Sequence, residues 1–164
     1  GMGYNIIDAD KVYREMTGSD PALLGALRRE FGEEIFENGA LCRERLAALV
    51  FSDPERLGRL NAAVHPLILE RCESLARFPA VLDAPQLFES GGERLCARVL
   101  CVTAPQELRL RRITERDGIS QTAARQRAAS QLSEEYLTEN SDFTVINDGR
   151  DIISQLIRFK EELL

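Results

Sequence analysis

Asn5-Ile6-Ile7-Asp8-Ala9-Asp10, residues 5–10, is an apolar run that ends in two carboxylates one residue apart. Three more strand-like runs follow: AVLDAP at 80–85, ARVLCVTAP at 97–105 and FTVIND at 143–148. Sequence of helical period separates them. This is the layout of an α/β domain with a parallel sheet flanked by helices and its chemistry at the carboxyl ends of the strands. A sheet of this class that handles phosphates carries a strand, a glycine-rich loop and a helix to hold them. No Gly-x-x-x-x-Gly-Lys-Ser/Thr occurs in the 164 residues. That strand, loop and helix are therefore expected to be absent from the sheet.

Working outward, a helix is expected from Lys11 to Met16, stopped by Thr17-Gly18-Ser19. Ser19-Asp20-Pro21 then caps a second helix that places Leu23, Leu24, Leu27 and Phe31 on one face, and Gly32 breaks it. Asn38-Gly39 reads as a turn, Arg43 to Phe51 as a helix, and Ser52-Asp53-Pro54 as a third cap. Residues 55–77 have helical spacing, with Pro66 expected to kink or restart the helix. Further helices are expected from near Pro105, from Gln121 to Gln131, and from Asp151 to Leu164.

Length and composition fit one domain over 1–164, with 44% hydrophobic residues to build a core. No apolar run reaches the length of a membrane span, and no signal-peptide pattern opens the chain, so a cytoplasmic protein is expected. Cys42, Cys72, Cys96 and Cys101 show no Cys-x-x-Cys spacing and have a single His to join them, so neither a metal site nor a disulfide framework is expected. A net charge of −6 argues against nucleic acid as the main partner. The charge is uneven: Arg109, Arg111, Arg112, Arg116, Arg125 and Arg127 crowd residues 107–127. Guanidinium forks suit phosphate oxygens, although a solvated helical face would carry the same residues.

Four segments could carry chemistry. Asp8 and Asp10, two apart on a strand, would share a face and reach one cleft; Asp10 would equally serve as a helix N-cap. His65, before Pro66, is either a site residue or a satisfied core histidine. Leu87 and Phe88 leave a strand where a ligand crevice opens, as a pocket wall or as core. Arg112, Arg116 and Arg127 flank the Gly118 turn, a flap able to fold over phosphates.

Taken in order, these segments closely resemble the dephospho-CoA kinase family. The resemblance rests on NIIDAD with Arg14, FGEEI (31–35), Arg43 in ALCRERLAALVF, NAAVHPLI (61–68), VLDAPQLFESG (81–91), Arg112 with ITERDGIS, Arg127 with AASQ, and DFTVINDG (142–149). It implies a P-loop kinase fold, a parallel sheet flanked by helices with its central first strand missing, a helical CoA-binding insertion near 14–78 and a lid near 105–137. It implies ATP-dependent phosphorylation of the ribose 3′-hydroxyl of dephospho-CoA, the last step of coenzyme A synthesis. Asp10 matches the family's candidate base. Asp8, Arg14, His65, Leu87 and Phe88 match substrate-side positions, and Arg112, Arg127 and Asn147 match the nucleotide side.

Some positions depart from the pattern. Cys42 stands where Asp is usual before Arg43, Gln86 replaces a usual Leu, and Leu137 replaces a common basic lid residue. The family uses ATP and Mg2+; without the phosphate loop neither is expected to bind this chain tightly. The chain is expected to be inactive alone, as a piece of the kinase shortened by cloning or by a misplaced gene start. Two alternatives are a natural non-catalytic relative that binds CoA-like ligands and a module that self-associates through exposed sheet edges.

Overall fold

A computed structural model describes residues 3–50 and 53–162. The chain divides into two compact units, Gly1–Cys96 and Ala97–Leu164. Among the described residues the strands form three two-stranded sheets, two parallel and one antiparallel. Phe51, Ser52, Leu163 and Leu164, which the expected elements included, lie outside the described residues.

In the first unit, β1 (Asn5–Asp8) runs parallel to β4 (Ala80–Asp83), with Ile6 opposite Val81 and Ile7 opposite Leu82. Only one face of this pair is covered. Ile7 is buried in the core, whereas Ile6 is 72% and Val81 45% exposed. The apolar residues of this pair are therefore buried on one face and exposed on the other.

Helix α1 (Ala9–Ser19) continues through Thr17-Gly18-Ser19, the residues expected to stop it. Thr17 is buried, and its hydroxyl donates to the Arg14 carbonyl at 2.8 Å. Its polar group thus bonds back onto the helix instead of diverting the chain. The helix ends at Asp20, whose N–H donates to the Met16 carbonyl while its carboxylate accepts from Leu23 N–H at 2.9 Å. That second bond caps α2 (Pro21–Phe31), as expected, and Gly32 closes it with a positive φ of 76°.

Asn38 and Gly39 both adopt positive φ, 50° and 82°, the signature of a two-residue hairpin turn. They join β2 (Phe36–Glu37) to β3 (Ala40–Leu41), a short hairpin that the sequence reading saw only as a turn. Helix α3 (Arg43–Val50) follows, and Asp53 then caps α4 (Pro54–Leu75) through bonds from Glu55 and Arg56 N–H. α4 runs through Pro66 without restarting. Pro66 removes one backbone donor, but Leu60 and Val64 before it and Leu69 and Cys72 after it are all buried. Burial of that size outweighs one lost hydrogen bond, each such side chain contributing about 1.5–3 kcal/mol against about 1.

In the second unit, β5 (Leu100–Thr103) lies parallel to β6 (Phe143–Ile146), with Thr103 opposite Ile146. α5 (Gln106–Asp117) ends at Gly118, which takes the left-handed conformation, and Ser120 caps α6 (Gln121–Ala129). A short helix that the sequence reading did not anticipate, α7 (Glu134–Glu139), is capped by Ser133. α8 (Ile152–Glu162) packs Phe159 against Phe143, ring centroids 5.3 Å apart. Among the described residues no helix is long and apolar enough to cross a membrane.

Candidate active site

Two aspartates stand in register at the carboxyl end of the first parallel pair, and they are not the two expected. Asp8 ends β1 in register with Asp83 at the end of β4. The strand stops at Asp8, so Ala9 opens the helix and Asp10 sits, exposed, in the first turn of α1. Asp8 and Asp10 therefore do not share a strand face. The cap role considered for Asp10 belongs to Asp8, whose Oδ1 accepts the Lys11 N–H at 2.8 Å. Asp83 escaped the sequence reading. Its signal was the pattern shared by NIIDAD and AVLDAP, an apolar run followed by Asp-Ala.

Asp10 and Arg14 stand one turn apart on α1 and share an exposed helical face. The Arg14 carbonyl accepts from Thr17 Oγ1 at 2.8 Å and from Arg43 Nη2 at 2.9 Å. His65 is half-buried in α4, four residues before buried Leu69 and so on the same face. The turn after β4 comes to this face as well. A Cβ on Gly92 would meet Leu69 Cδ2 and Leu87 Cδ1, each at 3.0 Å, so Leu87 and Leu69 of α4 both border Gly92. Phe88 beside it is half-buried. Leu87 is half-buried, which neither the wall nor the core reading excludes.

The second unit brings Arg112 and Asn147 together. Arg112 Nη1 donates to the Asn147 carbonyl at 2.9 Å and Nη2 to its Oδ1 at 3.3 Å. Asn147 is itself held at the end of β6 by its N–H to the Thr103 carbonyl, 2.7 Å. Arg127 lies elsewhere, on α6. Its Nη1 donates to Asp117 Oδ2 at 2.9 Å, and Arg116 grips the same carboxylate through Nε and Nη2 at 2.7 and 2.9 Å. The bond from Arg116, helped by the charges of Arg116 and Arg127, holds the Asp117 carboxyl below the usual carboxylate range and outweighs the opposing desolvation. An open groove of about 680 Å³ lies along the other side of α5, between Pro105, Leu108, Arg111, Thr114 and Gln121. Neither Arg112 nor Arg127 lines it.

The remaining departures are local. Cys42 Sγ donates weakly to Glu44 Oε2 at 3.4 Å, Gln86 is exposed in the turn after β4, and Leu137 is half-buried in α7. Among the described residues no three His, Cys, Asp or Glu side chains converge to hold a metal ion.

Comparisons with known proteins give one family. The family model for dephospho-CoA kinase matches residues 1–152. The dephospho-CoA kinase of Chlorobaculum tepidum is 31% identical over 177 residues, covering 99% of this chain and 85% of that protein. That of Corynebacterium diphtheriae is 35% identical over 167 residues, covering 96% and 84%. Among solved structures, TT1252 from Thermus thermophilus superposes with a TM-score of 0.79 at 34% identity, over 99% of this chain and 85% of its own. Dephospho-CoA kinase from Campylobacter jejuni does so with a TM-score of 0.63 at 26% identity, over 99% and 86%.

Proposed function

The chain belongs to the dephospho-CoA kinase family, and from that premise we propose that its residues serve the transfer of the ATP γ-phosphoryl group to the ribose 3′-hydroxyl of dephospho-CoA. The observation that carries this reading is the extent of the family match, which takes in both the carboxylate-bearing strand end and the arginine-bearing helices. Asp10, exposed at the start of α1, takes the proton of the attacking hydroxyl. Arg14, one turn on, meets an anionic group of the same acceptor. Asp8 completes the strand-end motif and orients the helix start through its cap. His65 with Leu87 and Phe88 forms the acceptor wall.

On the nucleotide side Arg112, Asn147 and Arg127 supply the contacts. Phosphoryl transfer is mostly positioning and charge neutralisation, and fixed guanidinium forks contribute to both. Magnesium, when bound with ATP, offsets charge on the β- and γ-phosphate oxygens. Its ligands would come chiefly from phosphates and water.

No Gly-x-x-x-x-Gly-Lys-Ser/Thr is present in these 164 residues to cradle those phosphates. Assayed by itself, the chain is therefore expected to bind dephospho-CoA and not to turn it over. Calorimetric titration with dephospho-CoA, beside an ADP-release assay, tests both halves. Saturable binding without turnover supports the reading. Turnover would show that the phosphate loop is dispensable, and the lack of any binding would overturn the acceptor-side assignment.

A second reading rests on the uncovered sheet face. Ile6 and Val81 stand side by side and exposed on the first parallel pair, and exposed strand pairs recruit partners. We propose that a second copy of the chain covers them. Sedimentation gives a dimer mass at high concentration if so. A Val81→Lys chain that keeps the dimer would sink the idea, as would a monomer mass for the unaltered chain.

A further inference from the structure

We propose that Arg43 is a positioning residue that sets the rotation of α1, and through it the placement of Asp10 and Arg14. The proposal rests on the acceptor-side reading of those two residues. α1 is tied at its start by the Asp8 cap, which bonds the Lys11 N–H and holds the helix to the end of β1. A cap at one end fixes where a helix begins and leaves it free to turn about its axis, and each residue of register is worth about 100° of rotation. What fixes that rotation is a knot on the second half of the helix.

The knot has three members. The Arg14 carbonyl accepts from Thr17 Oγ1 at 2.8 Å and from Arg43 Nη2 at 2.9 Å. The same Arg43 nitrogen also donates to Thr17 Oγ1. Thr17 is 5% exposed, the sole buried polar side chain among the described residues. Arg43 opens α3, lies 26 residues from Thr17, and has no role in the strand-end carboxylates. Its charge is also felt by Tyr13: burial raises the Tyr13 phenol and the Arg43 guanidinium works against that rise. One guanidinium therefore touches or influences α1 along a single side, at Tyr13, Arg14 and Thr17.

A charged donor shared by a carbonyl and a hydroxyl, with one partner buried, is directional in a way that apolar packing is not. Apolar contacts such as Val12 and Met16 hold α1 against the core but tolerate small rotations. Small rotations matter here, since a misplacement of about 1 Å in a phosphoryl-transfer site can cost about a hundredfold.

The test is dephospho-CoA affinity, by calorimetry well below the melting temperature, for the unaltered chain and for Arg43→Ala, Arg43→Lys and Thr17→Val. Circular dichroism melts of each variant are recorded alongside. Arg43→Ala is expected to weaken binding about tenfold, the size of one charged contact that a displaced Arg14 would lose to the ligand. Arg43→Lys should recover part of this, because an ammonium can still reach both oxygens. Thr17→Val should weaken binding about threefold, because it keeps the shape and loses the bridging hydroxyl. Affinity within twofold of the unaltered chain for Arg43→Ala, with only the melting temperature lowered, would make the knot a purely structural device and overturn the proposal. If Arg43→Ala does not fold, unchanged affinity in both Arg43→Lys and Thr17→Val overturns it equally. Failure of the unaltered chain to bind dephospho-CoA would strike the acceptor-side reading itself, and this inference with it.

Discussion

Arg112 and Asn147, 35 residues apart, are joined by two bonds from one guanidinium, one to the main-chain carbonyl and one to the side-chain amide oxygen. This fork fixes the middle of α5 to the end of β6 within the second unit. It also uses both Nη atoms of a residue assigned to nucleotide phosphates, so a phosphate would have to approach Arg112 from the side that Asn147 leaves open.

Arg112→Ala should therefore destabilise the second unit by about 1–3 kcal/mol, the range for removing a half-buried charged donor from two acceptors. Chemical denaturation followed by circular dichroism measures it. A loss below about 0.5 kcal/mol, the level of an ordinary surface substitution, would mean the fork does not form in solution.

Turnover should appear when the chain is joined to the phosphate-loop segment of a relative, and it should depend on Asp10. Asp10→Asn keeps the shape and removes the base, with an expected fall of about a hundredfold or more. Arg112→Lys loses the fork and should fall comparably. Steady-state ADP release reads both. A joined protein indifferent to Asp10→Asn would transfer the base role to Asp8 or Asp83, the carboxylates at the strand ends.

Asp117 makes stability depend on pH in a definite direction. Its folded pKa lies below the ordinary value of 3.8, held down by the Arg116 bond and the Arg116 and Arg127 charges. A lowered folded pKa stabilises the fold above the ordinary value, and the benefit disappears as pH falls through the folded pKa. The melting temperature of Asp117→Asn should accordingly lie below that of the unaltered chain at pH 7. The gap should close below about pH 4. A gap that stays constant from neutral to acid pH would assign the effect to something other than this carboxylate.

Leu27 is fully buried between helices of the first unit, and Leu27→Ala should cost about 2–5 kcal/mol. Thermal unfolding gives the value. A loss under about 1 kcal/mol would place Leu27 outside the core, because even a well-relaxed leucine cavity costs more.

Local chemistry was legible in the sequence wherever a few neighbouring residues decide the outcome. Asp20-Pro21 starts α2, Asp53-Pro54 starts α4, Asn38-Gly39 turns the chain and Gly118 ends α5, because caps and turns are closed by bonds spanning two to four residues. The apolar runs at 5–8, 80–83, 100–103 and 143–146 were legible as strands from their short β-branched and apolar composition, and the motifs along them carried the family. What the tertiary structure alone decided depends on partners far along the chain. α1 keeps Thr17-Gly18-Ser19 because Arg43 and the core close around Thr17, and α4 keeps Pro66 because buried side chains on both sides outweigh one missing bond. The strand-end pair is Asp8 with Asp83 because the register of two strands, 75 residues apart in sequence, sets which carboxylates are neighbours. Spacing within a single strand carries no information about that register.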